Sequence, residues 1–134
     1  MAIEVDWYDE DHDTILIEVK GVWTWEEMAT ALTRCNEMFD SVSYLVYTIF
    51  DFTNASRLPQ GVLTNLRRLN RSVHPNSGAV MLVGLSAGYR LIMDVFARLY
   101  GKWINPHGTN VLNTRAQADA FLLKLRSERP KNSQ

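Results

Sequence analysis

"YTIFDFTNASRLPQGVLTNL", residues 47–66, decides how this chain folds. With the residues before it, Tyr44 to Phe52 form an apolar run of β-branched and aromatic residues, as in a central strand covered on both faces. Asp51 ends the hydrophobic run, and Thr53, Ser56 and Arg57 lead into a loop closed by Pro59 and Gly61. Pro59 is suited to starting a helix, and Val62, Leu66, Leu69 and Val73 then recur at helical spacing. A buried strand that passes through a short polar loop into a helix is the repeating unit of an α/β fold.

The same unit recurs downstream. Ala79 to Gly84 reads as a second buried strand, and Ser86 caps a helix with the stripe Tyr89, Ile92, Phe96, Leu99 and Trp103. A short strand at Asn110–Leu112 leads through Thr114-Arg115-Ala116-Gln117, read as a capping box, into a last helix facing inward at Ala120, Phe121 and Leu125. Upstream, Ile3, Val5 and Trp7, then Ile15, Ile17 and Val19, alternate with polar or smaller-contact positions, which predicts an antiparallel hairpin closed by Gly21. Thr24-Trp25-Glu26-Glu27 is a capping box that opens a helix over about residues 25–40. The order ββαβαβαβα predicts an α/β fold, a mostly parallel central sheet with an N-terminal antiparallel hairpin and four helices. Residues 1–126 are expected to form a single domain, followed by a flexible polar tail at 127–134.

Composition narrows the class. The chain has 134 residues, 46% hydrophobic and 22% charged, and no run near the roughly 18 apolar residues of a membrane span. The acidic N-terminus lacks the basic-then-apolar order of a signal peptide. Cys35 is the only cysteine, which excludes an internal disulfide and a Cys-based metal site and points to a reducing cytoplasm. The net charge of −1 conceals a split. Residues 1–56 carry twelve acids against Lys20 and Arg34, a net −10, whereas residues 57–134 carry a net +9. The two halves are expected to interleave within one core and neutralise each other locally. An anion-binding face or head-to-tail self-association is the alternative.

The element order, Gly21 before a capped helix, the strand ending Phe50-Asp51-Phe52-Thr53, and the entry Asn113-Thr114-Arg115-Ala116 with Ala120-Phe121-Leu122 together resemble the STAS family of bacterial anti-sigma-factor antagonists. The likeness spans residues 3–126 and is strongest to single-domain STAS-like proteins that share features with CRAL-TRIO lipid-transfer domains. It implies a non-enzymatic binding or regulatory module acting through a protein partner or a small anionic or amphipathic ligand. In the antagonists an Asp-Ser-Ser/Thr-Gly segment opens the second helix and its Ser is phosphorylated. Here that segment is Leu58-Pro59-Gln60-Gly61, which keeps the glycine and lacks the acceptor, so no phosphoserine switch is expected. Thr53 and Ser56 are hydroxyls earlier in the loop.

Other candidate chemistry is less complete. Gly84-Leu85-Ser86-Ala87-Gly88 matches a nucleophile elbow between strand and helix, the basis of an alternative reading as a small serine hydrolase. After Ser86, however, only Asp94, Asp119 and His107 remain as partners, both Asp on helices, so Ser86 is read as a cap. Asp9-Glu10-Asp11-His12-Asp13 lacks the Gly and terminal Glu of a calcium loop and is read as a solvated turn, with no metal expected. His74 and His107 are turn residues. Arg67, Arg68 and Arg71 on the second helix, with Arg90, Arg98 and Lys102 on the third, form a cationic patch if the outer faces adjoin; a solubilising surface is the simpler reading. No nucleic-acid motif and no cofactor motif is present. In open α/β sheets ligands bind beyond the strands' carboxyl ends. That rim supplies the expected binding residues Thr53, Ser56, Arg57, Ser86, Tyr89 and Arg90, with Tyr89, Phe96, Tyr100 and Trp103 beneath as core or cleft. A homodimer docked through acidic and basic faces is a third reading.

Overall fold

A computed structural model describes residues 2–56, 59–69, 74–104 and 108–128. Arg57, Leu58, Arg71, Val73 and His107 lie outside the described residues, as do the side chains of Leu66, Arg67, Leu69, Phe96, Leu99, Tyr100, Lys102 and Trp103. The elements run β1 (Ile3–Trp7), β2 (Thr14–Gly21), α1 (Trp25–Asp40), β3 (Val46–Ala55), α2 (Val62–Leu69), β4 (Ser77–Val83), α3 (Ala87–Ile104), β5 (Thr109–Leu112) and α4 (Arg115–Ser127). Of the four expected helices, α1, α3 and α4 run 16, 18 and 13 residues. The described part of the second is two turns long, Val62–Leu69.

The fold is α/β with a five-stranded mixed sheet in the order β1-β2-β3-β4-β5. β1 pairs antiparallel with β2, and every later pair is parallel. Each strand lies beside its neighbour in sequence, so the two halves of the chain sit side by side. In strand order the acidic half therefore holds β1, β2 and β3 and the basic half β4 and β5. Helix α4 of the basic half folds back over the acidic one and sets Arg115 and Arg126 against Glu18, Asp51, Asp9, Asp11 and Asp13, the expected local neutralisation.

Two apolar clusters flank the sheet. On one face Ile15, Ile17 and Val19 of β2 meet Trp25, Met28, Ala31, Cys35, Met38 and Phe39 of α1, with Leu82, Leu85 and Tyr89. On the other, Tyr47, Ile49, Met81 and Val83 are covered by Ala118 and Leu122 of α4. The capping box forms in full at α1: Thr24 Oγ1 accepts from the Glu27 amide at 3.1 Å and Glu27 Oε1 accepts from the Thr24 amide at 3.0 Å.

Three local expectations change. β3 extends to Ala55: the register shifts by one residue, with the extra residue in β3 between Asp51 and Asn54, and β2 continues to pair Lys20 with Asn54 and Gly21 with Ala55. Thr53 is therefore a strand residue. At α4, Thr114 Oγ1 accepts from the Gln117 amide, but the Gln117 side chain accepts from the Asn113 amide at 2.7 Å, so the second box is incomplete. The buried residues of α4 are Ala118 and Leu122; Ala120 is exposed, and Phe121 and Leu125 are half-buried.

Candidate functional site

The C-terminal ends of β2, β3, β4 and β5 form a rim whose two faces differ in chemistry. β3 alternates across it. Phe50 and Phe52 join the cluster under α1 and α3, while Tyr47, Ile49 and Asp51 face α4. Thr53 follows Asp51 onto that second face, where its amide donates to Asp51 Oδ1 at 2.9 Å.

On the α1/α3 face an aromatic cluster supports the loop after β3. Trp23 packs on Trp25 with ring centroids 4.9 Å apart, and Phe52 packs on Tyr89 at 5.3 Å. The Tyr89 hydroxyl accepts from Trp23 Nε1 at 3.2 Å and donates to the Ser56 carbonyl at 2.5 Å. The Ser56 amide donates to the Gly21 carbonyl at 2.8 Å, and Trp25 Nε1 donates to the Gln60 carbonyl at 2.7 Å. The loop is thus pinned on both sides of Arg57 and Leu58. Gly61, at φ 76°, then turns the chain into α2, with its carbonyl accepting from Asn65 Nδ2. These indoles flank the helix cap in Trp23-Thr24-Trp25, and two buried indole N–H groups each require an acceptor. That requirement was the available signal for the loop's anchorage.

On the α4 face the chemistry is ionic. Arg115 Nε donates to Asp51 Oδ2 at 2.9 Å, its Nη2 lies 3.6 Å from Glu18, and its guanidinium lies 5.5 Å from the Tyr8 ring centroid. The Tyr8 hydroxyl donates to Asp119 at 2.5 Å. Burial raises the Asp51 carboxyl, but hydrogen bonds from Thr53 and Arg115 outweigh it and hold the group below the ordinary carboxylate range. Sequence spacing does not pair Asp51 with Arg115, because the contact arises only when α4 folds back over the sheet.

The expected binding residues are thus divided. Ser56 and Tyr89 meet; Thr53 lies on the opposite face with Asp51. Ser86 opens α3, with Oγ accepting from the Tyr89 amide at 3.5 Å. Arg90 turns aside to the Asn113 side chain and the Leu85 carbonyl. Gly84, at φ 73°, lets β4 approach β3: a Cβ there would sit 2.8 Å from Thr53 Cα. Among the described residues His12 stacks on Trp7 and His74 bonds Asp40 at 2.7 Å, both preceding strands and so opposite in strand polarity to Ser86.

The acidic turn is not simply solvated, as the sequence suggested. Asp13 is buried, and Asp9, Asp11 and Asp13 converge on Arg126, with Arg126 Nη2 2.6 Å from Asp13 Oδ1 and 2.9 Å from Asp9 Oδ2. The guanidinium of α4 supplies the cation there. No helix among the described residues is long and apolar enough to cross a membrane. No protein-family model matches the chain, and no curated protein matches it closely enough to count as a relative.

Proposed function

We propose that the chain is a STAS-like, non-enzymatic binding module that works at the strand-end rim, through a protein partner or a small anionic or amphipathic ligand. The observation that carries this reading is the pinned loop: Tyr89, Gly21 and Trp25 fix Ser56 and Gln60 from beneath. Ser56 and Gln60 themselves are thereby held in place for a partner at low ordering cost. Beside them, Ser86, Ala87 and Gly88 are exposed at the start of α3, and Thr53 and Asn54 at the end of β3. Thr53, Ser56, Arg57, Ser86 and Arg90 remain the proposed contact set, with Tyr89 buried beneath as their support, and Pro59-Gln60 in place of a hydroxyl pair argues for recognition without a phosphoserine switch.

Photo-crosslinking from position 53 or 88, with position 33 on the outer face of α1 as control, tests the rim. A defined adduct from the rim positions alone supports the module. Equal labelling from all three positions overturns it. A fluorophosphonate label that disappears in Ser86→Ala would instead establish the hydrolase.

A further inference from the structure

The sequential strand order gives the molecule two charged poles. At the β1–β2 side, Glu4 and Asp6 are exposed on the sheet face shared with α4, and Glu4 faces Glu18 across the pair. Lys20 partly offsets them, 3.9 Å from Glu4 and 3.7 Å from Glu18. Arg115 and Arg126 of α4 are committed to Asp51, Glu18 and the inner acids of the β1–β2 turn. On this face Leu16 and Tyr8 pack at the margin of α4, and a helix about 10 Å across cannot cover five strands about 4.8 Å apart, so the open part is the β1 edge, where Glu4 and Asp6 are exposed. Along the flank of α4 Asp119 reaches toward Tyr8, and one turn further Leu123 is 67% exposed.

At the other pole α2 packs beside α3, as the cationic-patch reading requires. Arg68, Arg90 and Arg98 are exposed there, with Asp94 among them. Leu91 lies on the same outer surface and is 65% exposed. A single exposed leucine is ordinary. Here each pole sets one against charges of a single dominant sign, and the signs are opposite.

We propose that the protein self-associates head to tail, with the α2–α3 surface of one copy docking on the open β1 edge and the flank of α4 of the next. Arg68 and Arg98 would meet Glu4 and Asp6, and Leu91 would pack against Leu123. The occupant is a second copy because the chain carries both complementary surfaces, and their different identities make the contact heterologous.

Sedimentation velocity in about 0.03 M and about 0.5 M salt tests it, since exposed charges are screened over that range. The wild-type chain is expected to show concentration-dependent oligomers at the lower salt and monomer at the higher. Arg68→Gln/Arg98→Gln and Glu4→Gln/Asp6→Asn change exposed residues, and unchanged urea midpoints verify their folds. Each variant alone is expected to be monomeric, whereas their mixture forms a one-to-one heterodimer through the two intact surfaces and grows no further. A wild-type chain that stays monomeric at low salt overturns the proposal. So does a wild-type dimer that both variants still form, or a mixture that remains monomeric.

Discussion

Asp51 and Arg115, 64 residues apart in sequence, meet at 2.9 Å where the end of β3 faces the start of α4. The carboxylate is nearly buried while the guanidinium keeps about a third of its surface in water. That asymmetry sets the expected mutational order. Arg115→Ala leaves a buried carboxylate without its counter-charge, and Asp51→Asn leaves Arg115 with Glu18. After allowance for solvent screening, Arg115→Ala is expected to cost about 2 kcal/mol and Asp51→Asn less. Urea unfolding at pH 7 measures both.

The same pair gives a pH dependence of defined sign. Asp51 titrates below its ordinary range in the folded chain, so the stabilisation is complete above the unfolded carboxylate value of about 4. It is lost as pH falls through the lower folded value. The stability gap between wild type and Asp51→Asn should therefore narrow as urea curves are taken from pH 7 toward pH 2. A gap that widens on acidification contradicts this assignment.

Tyr89→Phe keeps the ring beside Phe52 but removes the donor to Ser56 and the acceptor for Trp23. An expected loss of about 1 kcal/mol follows from the broken hydrogen bonds. Faster amide exchange at Ser56, with α4 amides unchanged, would show that the effect is local to the loop.

Two glycines only four residues apart should respond oppositely. Gly84→Ala forces a side chain into positive φ and against the Thr53 backbone, and is expected to cost at least about 2 kcal/mol. At Gly88 a Cβ meets open space in the first turn of α3, so Gly88→Ala should stabilise by about 0.5 kcal/mol. Thermal melts of the two variants separate these outcomes.

Cys35 is 2% exposed on the inner face of α1, and burial pushes its thiol up to about 12 despite nearby Arg34. The thiol should resist a disulfide reagent at pH 8 in the folded protein and react fully in urea. Rapid labelling of the native chain would show that α1 opens locally.

How much of this was legible in the sequence follows from the range of each interaction. The helix at Trp25–Asp40 and its capping box depend on residues within four positions, and the apolar run at 44–52 marks its strand by itself. The extension of β3 to Ala55 is set by pairing with Lys20 and Gly21, so local composition hides it. Asp13 reads as a turn carboxylate until Arg126 arrives from 113 residues away. The rim was placed by general α/β topology. Its division into an aromatic face and an ionic face depends on the parity of β3, which a shift of one residue would reverse.

The order β1-β2-β3-β4-β5 also bears on how the molecule can be assembled. Each strand joins the one made just before it, so the sheet can grow in the direction of synthesis with modest loop closures at each step. The Arg126 contacts with Asp9 and Asp13 are different, spanning 117 and 113 positions. Until they form, a carboxylate destined for the interior waits at the first turn without its cation. Docking of α4 is accordingly expected to be the late, locking event, visible in pulse-labelled exchange as protection of α4 after that of β2 and β3.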